Sequence, residues 1–195
     1  DHRDLHSFPT RRSSDLQSFI NQAELKVEQG LSAFPDEEKF NHVKLNLQRS
    51  KRIEKNYYPS KEIIDLINKI NSKQIWVVLT EDWCGDSAQN LPYIYSFTRM
   101  NPNIQLTIIE RDKNLDLMEF YKTNGTLSIP KVVIFNDEMN ELANWGPRPM
   151  QAIQLVNQLK AEGKTKEEFI VELHKWYSKN NGIALEAEFI ELLKF

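Results

Sequence analysis

The chain of 195 residues can bury one substantial core, and its 40% hydrophobic and 27% charged content is ordinary for a soluble globular protein. A net charge of −3 without a basic block excludes a nucleic-acid arm, and the longest apolar run, residues 75–79, is far too short to cross a bilayer. One cysteine, Cys84, excludes an internal disulfide framework and, with four histidines, leaves too few ligands for structural zinc. A reducing, cytoplasmic setting without metal, membrane or nucleic-acid partners is therefore expected.

Residues 1–16, DHRDLHSFPTRRSSDL, read in one frame as the translation of a sequencing-library adapter and are set aside as an artefactual tail. They hold three acids and three arginines, so the charge stays at −3 without them, and two of the four histidines, which leaves His42 and His174. The native start is expected to be missing, so no signal peptide is read from this end.

From residue 17 three helices are expected. Phe19, Ile20, Ala23 and Val27 recur at helical spacing before Gly30. A second helix follows Pro35-Asp36 and runs towards Tyr57. Pro59 stops it, and Ser60 is placed to cap a third that aligns Ile63, Ile64, Ile67 and Ile70. Residues 74–80 are β-branched and apolar, the pattern of a buried central strand. A helix over 85–100, a strand over 104–110 and a short helix over 115–122 come next, separated by Asn101-Pro102-Asn103 and closed by Asn124-Gly125. Residues 131–136 and 141–145 read as an antiparallel hairpin. A helix over 149–161 follows. Thr165-Lys166-Glu167-Glu168 is a capping box opening another, whose Phe169, Leu173, Trp176 and Tyr177 form a core-packing face. A last helix is read from Ala184. The fold class is α/β: a mixed sheet flanked by helices, with an N-terminal helical extension (17–73), a core (74–161) and C-terminal helices packed on it (162–195).

Four features of the core recur together. Trp83-Cys84-Gly85 sits between a strand and a helix, and Pro92 falls eight residues after the cysteine. Ile129-Pro130 closes the segment Gly125-Thr126-Leu127-Ser128 just before a strand, and Trp145-Gly146 follows the hairpin. In this combination residues 74–161 resemble the thioredoxin family, whose active site reads Trp-Cys-Gly-Pro-Cys. The flanks resemble a bacterial branch of it with Cys-Gly-Asp instead. The resemblance implies a thioredoxin-like fold and Cys84 as the catalytic thiol, with Trp83, Gly85, Asp86 and Ser87 as its motif. It places Ile129, Pro130, Trp145, Gly146 and Arg148 along a substrate groove. A cis Ile129–Pro130 bond would leave the Ile129 backbone open to an extended peptide, and Trp83, Pro130 and Trp145 would rim the sulfur.

The residues argue both for and against redox chemistry. A thiol at a helix N-terminus faces unpaired N–H groups, which favour the attacking thiolate. Alkylation faster than that of a model thiol at neutral pH is the corresponding expectation. Ser87, however, stands where the family carries its resolving cysteine. Glu81, Asp82 and Asp86 bring negative charge near the sulfur, and Asp86 is placed to cap the same N–H groups. Val78 occupies the place of a buried acid. A full dithiol reductase is disfavoured on these grounds. A monothiol oxidoreductase is left, with a protein or small-thiol disulfide as substrate and glutathione or another small thiol resolving Cys84. The alternative is a redox-inactive module that binds an extended peptide or protein partner. An iron–sulfur carrier is disfavoured, because Asn136-Asp137-Glu138-Met139 offers no Gly-Gly glutathione site. Arg49, Lys51, Arg52 and Lys55 read as a solvated face paired with acids, with an anion site as the less favoured alternative, Arg148 as a contact for an acidic partner, and His174 as structural.

Overall fold

The computed structural model describes residues 15–194. Of the expected artefactual tail, residues 1–14 lie outside the described residues. Asp15 accepts the Ser18 N–H at 2.7 Å and caps helix α1 (Leu16–Glu28), and Leu16 is buried. Helix α2 (Glu37–Asn56) starts in the same way, with the Asp36 carboxylate accepting the Lys39 N–H at 2.7 Å. Ser60 caps α3 (Lys61–Asn68), turning Ile63 and Ile67 inward at i,i+4 spacing.

Strand β1 (Gln74–Thr80) leads directly into α4 (Gly85–Thr98), then β2 (Ile104–Glu110) and the single turn of α5 (Leu115–Met118). The hairpin strands are β3 (Lys131–Asn136) and β4 (Glu141–Trp145). The sheet order is β2-β1-β3-β4, with β1 parallel to β2, antiparallel to β3, and β3 antiparallel to β4. The α4 crossover permits the parallel pair, and the tight turn at Asn136–Asn140 permits the hairpin.

Period-2 alternation sends side chains to two cores. Trp76, Val78, Val132 and Ile134 face a large cluster built with Ile63, Ile67, Ile94 and Phe97. Val77, Leu79, Val133 and Phe135 face a smaller one with Leu117, Met118 and Ile129. Because both faces are covered, the central strands are apolar runs, and burying each large side chain contributes about 1.5–3 kcal/mol.

Helices α6 (Met150–Ala161), α7 (Lys166–Asn180) and α8 (Ile183–Leu192) complete the chain. Thr165 and Glu168 form the reciprocal capping box of α7. Leu173 and Tyr177 of α7 pack with Ala152 and Val156 of α6. Asn181 and Gly182 adopt left-handed conformations that turn the chain into α8, whose Phe189 joins the large core. No described helix is long and apolar enough to cross a membrane.

Candidate functional site

Cys84 is the N-cap residue of α4 and sits where β1 ends. It is only 7% exposed. Its Sγ donates to the Ile129 carbonyl oxygen at 3.5 Å, which occupies the backbone group that the family resemblance offers to a peptide. The backbone N–H groups of Asp86 and Ser87 and the Ser87 hydroxyl turn towards the sulfur. Ser87 is in turn held by the buried Thr80 hydroxyl, which donates to it at 2.6 Å. These donors favour a thiolate, but they lose. Burial, followed by the charge of Asp86, pushes the thiol up to about 11. The expectation of an activated thiolate is thus corrected: the helix N-terminus acts on a sulfur that is almost dry.

The three acids around the motif are also disposed differently from the sequence expectation. Asp86 does not cap α4. Its Oδ2 accepts from Arg148 Nε at 2.8 Å and Nη2 at 2.7 Å, while its Oδ1 accepts the Tyr177 hydroxyl at 2.8 Å. Arg148, read as a contact for an acidic partner, is therefore committed inside the molecule. Asp82 pairs with Lys26 of α1 at 2.8 Å. Glu81 accepts the Asp112 N–H at 2.7 Å, and burial raises its carboxyl above the usual range.

The cis-proline loop lies against the motif. The Ile129–Pro130 and Gly146–Pro147 bonds are cis. Ile129 and Pro130 are buried. Gly146 has φ +119°, and a Cβ there would overlap the Pro130 carbonyl oxygen, so only glycine fits. Trp83 lies beside the sulfur, with Arg111 5.0 Å and Lys39 5.5 Å from its ring centroid, and its buried Nε1 has no hydrogen-bond partner among the described residues. Trp145 does not join this rim. Its ring packs on Phe189 at 5.5 Å and its Nε1 donates to Glu188 of α8 at 2.6 Å, in the large core on the other face of the sheet.

On one side of Cys84 a small apolar cavity of about 30 Å³ separates α4 from α1. On the other, a cleft of about 1050 Å³ opens between α2 and α7, with Trp83, Cys84 and Gly85 in its lining. Gly85 has no side chain to fill this space. A Cβ there would come within 3.0 Å of the His174 ring and 3.7 Å of Arg49 Nη1. The Gln89 amide nitrogen lies 3.1 Å from His174 Nδ1, so with Gln89 donating, the imidazole proton sits on Nε2. Burial, reinforced by Arg49, lowers His174 to about 4 and keeps it neutral. His174 also lines the cleft.

Arg49, Arg52 and His174, which sequence reasoning placed chiefly in structural roles, line this cleft, and Tyr177, which it read as core packing, holds Asp86 beside it. Lys51 pairs with Glu24 at 2.6 Å, as expected of a solvated face, but Arg49 and Arg52 turn into the cleft instead. Their only sequence signal was the i,i+3 spacing of Arg49 and Arg52, repeated by His174 and Tyr177.

Fold and site together define a thioredoxin-like protein with a single cysteine at the start of α4. A family model described as thioredoxin matches residues 34–161, and the chain belongs to the thioredoxin family. The match takes in α2 and α3 as well as the sheet. Among solved structures, the chain is similar to a protein of unknown function from Pseudomonas aeruginosa, at 19% identity and a TM-score of 0.54, covering 88% of this chain and 94% of that one. It is also similar to an HIV epitope-scaffold at 18% identity and a TM-score of 0.56, covering 93% of this chain and 98% of that one. Both likenesses are of fold. No curated protein matches the chain.

Proposed function

We propose that this thioredoxin-family chain is a binding module in which Cys84 is kept as a protected thiol and the ligand is held in the cleft between α2 and α7. The observation that carries this reading is the thiol itself: 7% exposed, donating to Ile129 and pushed up to about 11. At neutral pH only about one in 10⁴ such groups is thiolate. The higher intrinsic nucleophilicity of a basic thiolate recovers less than a hundredfold of that, which leaves exchange roughly a hundredfold slower than for a thiol poised near 7. The edge of the cis-proline loop is also occupied, which moves the ligand seat from the backbone of Ile129 to the side chains of the cleft.

Monothiol oxidoreduction is the second reading. It is favoured by the Asp86 and Ser87 N–H groups and the Ser87 hydroxyl aimed at the sulfur. In this cycle Cys84 thiolate attacks a disulfide sulfur and expels one thiolate. A small thiol such as glutathione, as thiolate, then attacks the mixed disulfide, forming a new disulfide and restoring Cys84.

Iodoacetamide alkylation of the full chain as a function of pH separates the two. The binding reading expects slower reaction than a model thiol at neutral pH, rising only above pH 9. Alkylation faster than the model thiol at pH 7, with a mixed disulfide seen by mass spectrometry after mixing with glutathione disulfide, would replace it with the monothiol cycle.

A further inference from the structure

The chain carries a net charge of −3, yet the wall of the α2–α7 cleft is basic. Arg49 and Arg52 line it from α2, Lys166 and Lys175 from α7, and Arg148 from the loop after β4; its acids are Glu38 and Asp86. Asp86 is taken by Arg148, and Lys175 is paired with Glu172 at 2.7 Å. Among the described residues, no carboxylate lies within ion-pair distance of Arg49, Arg52 or Lys166.

Arg49 is the telling case. Its guanidinium is half-buried, donates to Asn46 Oδ1 at 3.0 Å, and is otherwise answered only at longer range by Asp86. A partly desolvated cation without a counter-ion is a cost that a bound anion removes. His174 Nε2, a proton donor in the tautomer set by Gln89, comes to the same side of Gly85 as Arg49 Nη1. Two donors from different helices thus converge over one backbone position, in a cleft at the upper end of the size range of small-molecule sites. Leu45 and Val171, 43% and 51% exposed, add apolar wall to the same cleft.

We propose that this cleft is the seat of a small polyanion, carrying carboxylate or phosphate groups, gripped by Arg49 and Arg52 of α2 and by His174 and Lys166 of α7. The inference rests on the binding reading above and names its ligand class. It does not depend on the reactivity of Cys84, so a reactive cysteine with an intact anion site would overturn only the protected-thiol account.

The test is calorimetric titration of the full chain with citrate and, separately, pyrophosphate at low ionic strength. Saturable one-to-one binding of either is expected, and the tighter of the two identifies carboxylate or phosphate as the preferred group. Arg49→Gln should weaken it at least about tenfold, as expected when one partner of a desolvated charge pair is removed. Arg52→Gln and Lys166→Gln, at exposed positions that do not endanger the fold, should each weaken it severalfold, while Lys69→Gln outside the cleft should not. Absence of saturable binding in the millimolar range, binding unchanged by all three cleft variants, or binding of a polyglutamate peptide alone would each overturn the proposal.

Discussion

Towards the cis-proline loop, the groups around Cys84 are already paired; towards α2 and α7, among the described residues, Arg49, Arg52 and Lys166 are without a carboxylate partner. On the first side the thiol donates to Ile129 and Gly146 presses on Pro130. On the second side Arg148 and Lys175 are paired with Asp86 and Glu172, while among the described residues Arg49, Arg52 and Lys166 line the wide cleft without a carboxylate at ion-pair distance. The same short motif therefore borders one region whose interactions are spent on structure and one whose charge is left for something else. A family likeness alone would assign the ligand to the first region. The distribution of satisfied and unsatisfied charge is the ground on which the second is proposed.

The comparison breaks most visibly if the packed side is loosened. Gly146→Ala must place a Cβ onto the Pro130 carbonyl at a φ of +119°, and a loss of more than about 3 kcal/mol in urea unfolding is expected. A variant as stable as the parent would mean that the loop contact is not tight. Next comes Asp86→Asn, which leaves Arg148 without its counter-ion and should cost about 3 kcal/mol. Because Asp86 also raises the thiol, the same variant should show a lower Cys84 pKa by its alkylation profile; an unmoved profile would leave burial as the whole cause.

A smaller effect follows from the thiol. Its folded pKa of about 11 lies above the ordinary 9.0, so the folded state holds the proton more tightly. That contribution is full below pH 9 and lost as pH rises through 11, amounting to about 2–3 kcal/mol. Measured against Cys84→Ser, wild-type stability should fall over this window; parallel curves would contradict the protected thiol. Trp145→Phe should cost about 1 kcal/mol, by losing the bond to Glu188, and leave Cys84 reactivity unchanged. A change in reactivity would return Trp145 to the site. His174 sharpens the other side of the comparison. With a folded pKa near 4 against an ordinary 6.5, it supports the fold above pH 6.5 and loses that support as pH falls towards 4. His174→Gln should flatten that acid slope in thermal melts.

The fold was legible because its signals are local. Largely apolar runs mark β1, β2 and β3, the Asn136–Asn140 turn marks β4, and Ser60 and the Thr165–Glu168 box act on N–H groups three residues away. The motif Trp83-Cys84-Gly85 and the turn at Ile129-Pro130 were legible for the same reason. What stayed hidden is long-range. Tyr177 meets Asp86 across 91 residues, and Gln89 meets His174 across 85, distances at which no spacing rule operates. The burial of the thiol was not legible because a helix N-terminus can be read from sequence, whereas the dryness of the sulfur depends on how the Ile129 loop and the neighbouring helices close over it. Trp145 was misplaced by one property of strands: side-chain parity along β4 sends it to the α8 face.

Thiolate absorbance near 240 nm, recorded against pH for the full chain and corrected with Cys84→Ser, reads the state of the sulfur directly. A protected thiol predicts that no thiolate signal develops until pH is well above 9, with a midpoint near 11. A midpoint at or below 7.5 would contradict it and make Cys84 the reactive centre of the molecule.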